Sequence, residues 1–380
     1  MGVCNSTNEK PNKPNVVQIK VKKNKKDSSS SQTKTSISTK DKLSDYIIPS
    51  NLSIRSPLSQ KYKLSNEFLG RGASGIVSEG TDKSGQKYAI KTINKLSLKS
   101  IDVLVKEVEI SLSLNHPHII KYYEVYEDLK SVSVVMDLAE GGDLFDFILK
   151  SPDGRLSDEV TLELMIQILE TMNYLHNEKK ICHRDIKPEN FLIIIEDSKP
   201  NIKLIDFGFA TYLKEGVTMN DYLGTPQYTA PEIINREPYD EKVDLWSIGI
   251  LLFNMLTGCQ PFTSESYVPI EEQVCSKIIP FEAIENRHLK NLCYNLLERD
   301  PSQRYNAKRA LNYAYEIRDI IQKEKAKNEF DKLAKDKDGK VAYDEIISHY
   351  NIEGKISTFD YVDFNQFYNC VSNGTFKVNF

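Results

Sequence analysis

The chain has 380 residues, 40% hydrophobic and 27% charged, the proportions of a soluble globular protein with room for two domains. Its formal net charge of −4 is uneven: residues 1–42 hold ten Lys against three Asp or Glu, a local +7 that leaves −11 on the rest. That points the tail at an anionic surface and argues against nucleic acid as a ligand of the body. The best apolar run, residues 247–256, is far below the about 18 residues of a membrane span, no C-x-x-C pair suggests zinc, and no secretory segment opens the chain, so a reduced cytosolic setting is expected.

Residues 1–61 are rich in Lys, Ser, Asn and Thr and too poor in apolar side chains to offset ordering; a disordered basic tail is expected. Short β-type runs follow at 62–70, 75–81, 86–93, 122–127 and 131–138. Between them, residues 101–114 read as a helix with Ile101, Leu104, Val105, Val108 and Leu112 on one face. After Gly142 the pattern is helical, at 144–149, 158–178, 243–257 and 288–298. A charged helix is expected at 315–328, then a segment rich in Asp, Phe and Tyr at 329–380. Strands followed by helices predict an α+β, two-lobed molecule with a cleft between the lobes.

Residues 69–77 read Leu69-Gly70-Arg71-Gly72-Ala73-Ser74-Gly75-Ile76-Val77, a G-x-G-x-x-G loop whose glycines let backbone N–H groups approach phosphates. It joins two strand patterns, which separates it from the strand-to-helix turn of dinucleotide-binding folds. In Tyr88-Ala89-Ile90-Lys91 a lysine interrupts an apolar strand. Such a lysine often only snorkels to the surface, but here it is placed to bind phosphate. Its acidic partner is Glu107 or Glu109; both flank the apolar face of the helix, and periodicity does not choose.

The strongest signal is His183-Arg184-Asp185-Ile186-Lys187-Pro188-Glu189-Asn190, followed by Asp206-Phe207-Gly208. Asp185 would accept the proton of a substrate hydroxyl, an effect worth roughly 10²–10⁴-fold. Asn190 and Asp206 would each hold magnesium, a hard cation that takes oxygen ligands and keeps water and phosphate as the others.

In this order and spacing the motifs of residues 62–315 resemble a eukaryotic protein kinase. Ala230-Pro231-Glu232, Asp244, Trp246, Gly249 and Arg304 match the family's later motifs. The resemblance implies ATP and Mg²⁺ as cofactors, Glu107 as the partner of Lys91, and a Glu232–Arg304 pair bracing the helical lobe. It also implies that Asp244 supports the catalytic loop and that Thr225 fixes Asp185 and Lys187. Ala89 belongs with the strand that covers the nucleotide. Met136 would guard the back of the adenine pocket, Asp137 and Ala139 would bind adenine through the backbone, and Leu192 would floor it. Lys187 matches the serine/threonine class. Glu189 would favour protein substrates with basic residues near the acceptor; Asp143 would add to that or hold the ribose. Glu215 and Asp221, near where Arg184 should lie, would make activation-loop phosphorylation dispensable.

The runs at 122–128 and 141–146 are similar to calcium-dependent kinases of plants and protists, in which EF-hands follow the kinase. Two departures stand out: residues 261–287 match poorly, and the C-terminus is too short for four EF-hands. With Gly339 at the turn position of a calcium loop, Asp336 and Asp338 fall third and fifth and Glu345 twelfth, but Ala334 stands first. A second loop at 355–366 has Lys355 first and Gln366 last. A degenerate pair binding Ca²⁺ weakly, through one loop at most, is expected. Helix 315–328 would be a linker or a basic mimic in the substrate groove. Met1-Gly2-Val3-Cys4-Asn5-Ser6 matches a myristoylation site at Gly2, with Cys4 for palmitate and Lys20 to Lys26 for anionic lipid at the cytoplasmic face of a membrane. A monomer is expected. A scaffold without catalysis would lack Lys91, Asp185 or Asp206, and all three are present; a calcium sensor centred on the C-terminus is the other alternative.

Overall fold

In this computed structural model, residues 46–72, 75–98, 100–333, 335, 338–350 and 361–372 are described. The expected sites at Gly2, Cys4, Ala73, Ser74 and Asp336 lie outside them.

Strands β1 (Tyr62–Gly72), β2 (Gly75–Asp82) and β3 (Lys87–Asn94) lead into helix α1 (Ile101–Ser113), and β4 (Tyr122–Glu127) and β5 (Ser131–Met136) complete an antiparallel sheet in the order β1-β2-β3-β5-β4. The period of two in β3 decides what faces where. Ala89 and Ile93 pack with Leu104 and Val108 of α1, whereas Ile90 packs on the other face with Tyr62, Tyr126 and Val135. Lys91 therefore shares a face with α1. Leu104 and Val108 are the buried core of the expected apolar stripe, while Ile101 is exposed.

The tail was expected to be disordered to residue 61, and the structure corrects its end. Ile48 is 1% exposed within the sheet–helix cluster, and Ile54 forms a parallel bridge with Tyr126. Averaged composition hid the short run Tyr46-Ile47-Ile48.

The second lobe contains α2 (Leu144–Lys150), α3 (Asp158–Asn173), β6 (Ile181–Cys182), β7 (Phe191–Glu196), β8 (Lys199–Leu204), β9 (Thr211–Tyr212), α4 (Pro231–Ile234), α5 (Lys242–Thr257), α6 (Ile270–Ser276) and α7 (Arg287–Leu296). The arrangement is the expected α+β one. Every residue of α5 from Val243 to Leu256 is buried, which makes this helix the lobe's axis. It ends on Gly258 at φ +70°, where a side chain would be strained. The helix expected at 158–178 divides: α3 passes into a π turn at Tyr174–Glu178. The poorly matched stretch at 261–287 still carries a short helix, α6. Arg304 grips Glu232 with two bonds of 2.6 and 3.0 Å, both side chains buried, so α4 is tied to the far end of the lobe.

Helix α8 (Ala307–Asp331) runs unbroken across the expected junction at 315–328. Ala310, Ala314 and Ile317 belong to the lobe's core, and Ala326 and Phe330 to a separate small core. That second core also holds residues from β10 (Val341–Ala342), α9 (Tyr343–Tyr350), β11 (Tyr361–Val362) and α10 (Phe364–Ser372). Tyr315 donates to Glu170 at 2.5 Å and Lys325 pairs with Glu159 at 3.0 Å, so the helix lies along α3 and Lys325 is turned to that helix.

The two lobes are held in register by the loop after α1. The Asn115 N–H donates to the Tyr174 hydroxyl at 2.9 Å, and His116 stacks on that ring at 4.9 Å. Burial, reinforced by His118, pushes the His116 pKa down to about 4 from an ordinary 6.5. The fold thus disfavours a proton that the unfolded chain binds, so this contribution to stability is complete above pH 6.5 and is lost as the pH falls toward 4. The melting temperature should fall over that interval, and His116→Phe, which keeps the stack, should flatten part of the slope. Equal slopes for both chains would show that His116 does not contribute.

Candidate active site in the interlobe cleft

A cavity of about 840 Å³ opens between the sheet and the helical lobe. Leu69, Gly70, Arg71, Gly75, Val77, Ala89, Lys91, Met136, Asp137, Ala139, Asp143 and Leu192 line it. Ile76 does not, since its neighbour Val77 takes the cleft face and successive strand residues point oppositely. Gly72 pairs with Gly75 in the hairpin. Glycine is required at position 75, where a Cβ would lie 2.6 Å from the Thr92 carbonyl oxygen. The sequence did not single out Ile120, Tyr122, Leu138 and Ile205, which also line the cavity. Ile205 adjoins Asp206 and was within reach of inference; Tyr122 gives no local signal, because only the sheet order brings β4 to the back of the cleft.

Lys91 Nζ lies 2.8 Å from Glu107 Oε1, with both side chains largely buried, and Glu109 is exposed on another face. The choice that periodicity left open thus falls to Glu107. Burial opposes the Lys91 charge, but the carboxylates of Glu107 and Asp206 outweigh it and hold the pKa above its ordinary value. For Asp206, burial alone would push the carboxyl up; Lys91, the Gly208 N–H and His183 together hold it below the usual carboxylate range. Phe207 is 1% exposed and meets His183 and Tyr122 edge-on, which anchors the residue after Asp206.

Below the cleft, donors converge on Asp185. Lys187 Nζ lies 2.8 Å from Oδ2, Thr225 donates to Oδ1 at 2.9 Å, and Asn190 Nδ2 reaches Oδ2 at 3.2 Å and the backbone carbonyl at 2.7 Å. Thr225 also accepts from Lys187 at 3.1 Å. Asp185, Lys187, Asn190 and Thr225 are therefore one hydrogen-bonded unit. With Nδ2 committed to Asp185, the Asn190 amide oxygen is the atom left to meet a cation. That oxygen and the Asp206 carboxylate fit the two-ligand donor set magnesium needs when phosphates supply the rest. Asp143 caps α2, accepting from the Asp146 N–H at 2.8 Å.

Arg184 and Asp206 adopt φ of +69° and +63°, a region costly for residues with side chains. Arg184 is held there by its surroundings. Its N–H donates to Asp244 at 2.7 Å, and its guanidinium donates to the Phe209 carbonyl at 2.8 Å and to Asp221 at 2.7 Å. Asp221 thus reaches Arg184, and no Glu215 contact to Arg184 is seen among the described residues.

In the C-terminal unit, Asp338 and Glu345 lie on either side of β10, but among the described residues no group of three or more His, Cys, Asp or Glu could hold a metal ion. Val341 pairs with Val362 and Ala342 with Tyr361.

The protein kinase domain family matches residues 64–316. Calcium-dependent protein kinase 3 of Plasmodium yoelii yoelii is 38% identical over 270 residues, 70% of this chain and 49% of the relative. Calcium-dependent protein kinase 14 of Arabidopsis thaliana is 35% identical over 267 residues, 68% of this chain and 49% of its own length. A Dictyostelium discoideum protein named as a probable myosin light chain kinase is 36% identical over 263 residues, 68% of this chain and 82% of that protein. The chain spans about half the length of the calcium-dependent kinases it matches.

Because the Arg184 guanidinium is buried and Asp221 is 66% exposed, the pair orders the loop more than it stabilises the fold. Asp221→Asn should speed amide hydrogen exchange across residues 211–225 while moving the melting temperature little, as expected for a pair worth about 0–1 kcal/mol. Unchanged exchange in that segment would contradict this assignment.

Proposed function

Since the chain belongs to the protein kinase family, we propose that it transfers the γ-phosphate of ATP to serine and threonine side chains of protein substrates. The observation that carries this is the convergence of Lys187, Thr225 and Asn190 on Asp185 beneath a cleft that also presents Lys91 and Asp206.

In this mechanism adenine lies against Ala89, Met136 and Leu192, with backbone groups of Asp137 and Ala139 at its edge. The loop at 69–77 covers the phosphates, and Lys91, oriented by Glu107, clamps them. Asp185 accepts the hydroxyl proton as the substrate oxygen bonds to the γ-phosphorus and the bond to the ADP oxygen breaks. Lys187 places positive charge beside the transferring group, and Thr225 keeps it in line with Asp185. Magnesium, held by Asn190 and Asp206, supplies charge that neutralises the phosphate oxygens. Because such a reaction is mostly positioning and charge stabilisation, Asp185→Asn and Lys91→Met should each cut phosphate transfer by about 10²-fold or more without loss of fold. Turnover near that of the unaltered chain in either variant would contradict the mechanism.

Substrates are basic around the acceptor. Glu189 lines the cleft and is exposed, which suits it to a basic peptide, whereas Asp143 is partly committed to its helix cap. The Arg184–Asp221 pair supports activity without activation-loop phosphorylation, since a carboxylate already meets the arginine. Gly2 and Cys4 anchor the chain to an anionic membrane surface through acyl groups, with the basic tail as the second attraction. This rests on the sequence pattern, and among the described residues no helix is long and apolar enough to cross a membrane.

The kinase unit occupies 62–315, and a unit derived from an EF-hand pair follows from 329, joined through α8. The register of the small ribbon supports this origin. Counted from Ala334 and from Lys355, Val341 and Val362 both stand eighth in their loops, and they pair directly. The pair is kept for packing, and without a carboxylate at Ala334 it holds Ca²⁺ weakly. Isothermal titration should therefore show no tight binding and the activity should be the same with calcium and with chelator. Stoichiometric binding with activation at about micromolar calcium would contradict the weak-site assignment.

A further inference from the structure

We infer that residues 46–54, just ahead of β1, form a strap that positions α1 and so sets the Lys91–Glu107 pair; this rests on the kinase reading above. The strap meets three elements together. Ile48 is 1% exposed in the cluster that contains Leu104 and Val108 of α1 and Ala89 and Ile93 of β3. The Ile47 and Ile48 N–H groups donate to the two oxygens of Glu127, at 2.6 and 3.1 Å, at the end of β4. Glu127 in turn meets Lys95 at 2.7 Å, with side chains 0% and 2% exposed.

Lys95 opens the connection from β3 to α1 and lies four residues beyond Lys91. A buried ion pair is costly unless further hydrogen bonds complete it. Here the strap's backbone supplies two of the donors to Glu127. The far end is fixed where the Ile54 N–H donates to the Val125 carbonyl at 2.7 Å and the Glu127 N–H donates to the Ile54 carbonyl at 2.9 Å. These bonds cover β4, the outer strand of the sheet. With the strap in place, the β3–α1 connection has a fixed start and the sheet-facing side of α1 a completed core. Without it, Glu127 loses two of its donors, and the cluster that contains Leu104 and Val108 loses a buried side chain. The segment has nothing to contribute to the reaction directly, so its effect must pass through Glu107.

That route is testable in the full-length chain by a double-mutant cycle read as ATP affinity, which can be measured whether or not a variant turns over. Ile48→Ala should weaken ATP binding about tenfold and lower kcat, while Ile48→Val keeps most of both. In a Glu107→Gln background, Ile48→Ala should change ATP affinity by about twofold at most, because the contact it acts through is already gone. Thermal unfolding, followed in parallel, sets an assay temperature at which every variant is folded. An equal loss in both backgrounds, or a lower melting temperature with unchanged ATP affinity, would show a merely structural segment and overturn the inference. The kinase reading fails separately, if the unaltered chain transfers no phosphate from ATP or transfers it as well with Asp185→Asn.

Discussion

The Asp244 carboxylate sits in helix α5, buried from Val243 to Leu256, and receives the loop that carries Asp185. The His183 and Arg184 N–H groups donate to it at 2.8 and 2.7 Å, His176 meets it at 2.8 Å and the Cys182 thiol at 3.4 Å. Burial alone would push this carboxyl up; the His176 hydrogen bond, together with His183 and its N–H, holds it below the usual carboxylate range. A charge in that position is tolerable only while all these donors stay in place. The consequence is a backbone fixed at residues 183 and 184, including the positive φ of Arg184. Asp185 follows directly, so the place where its carboxylate meets Lys187, Thr225 and Asn190 is set from the core of the helical lobe outward.

A second constraint comes from the sheet. Lys91 must share a face of β3 with α1, and α1 must be held at both ends for Glu107 to stay on it. The C-terminal end is held by the loop at 115–118, which bonds to Tyr174 and β8 of the other lobe. The core beneath its sheet-facing side includes Ile48. Lys106, next to Glu107, donates to Thr211 at 2.6 Å, which ties the same helix to the segment after Asp206. The Lys91–Glu107 pair is thus referred to both lobes.

The convergence of the candidate site residues was legible in the sequence because it is local. Asp185, Lys187 and Asn190 fall within six residues, and Asp206 precedes a Phe-Gly that the fold buries and turns. What escaped was non-local. Tyr122 lines the cleft only because β4 pairs beyond β5, and Ile120 lies in the segment leading into that strand, which no local pattern reveals. Glu107 and Glu109 are equivalent by periodicity and differ only once α1 is docked. The strap was missed because three apolar residues in a long polar tail do not shift its composition, and the Glu127 they meet is about eighty residues away. Helix α8 was expected in part: residues 315–328 read as a charged helix, and its start at Ala307 and its run to Asp331 show only in the structure.

The most direct test of this account is Asp244→Asn. The amide keeps the shape of the side chain but replaces one acceptor oxygen with a donor, opposite groups that themselves donate. With the fold retained by circular dichroism, steady-state assays should show kcat lower by roughly 10²-fold while the affinity for ATP, which the proposed mechanism places against the other lobe and the cleft walls, stays within about threefold. A chain with Asp244→Asn that turns over like the unaltered one would contradict the claim that this buried carboxylate fixes the reacting loop.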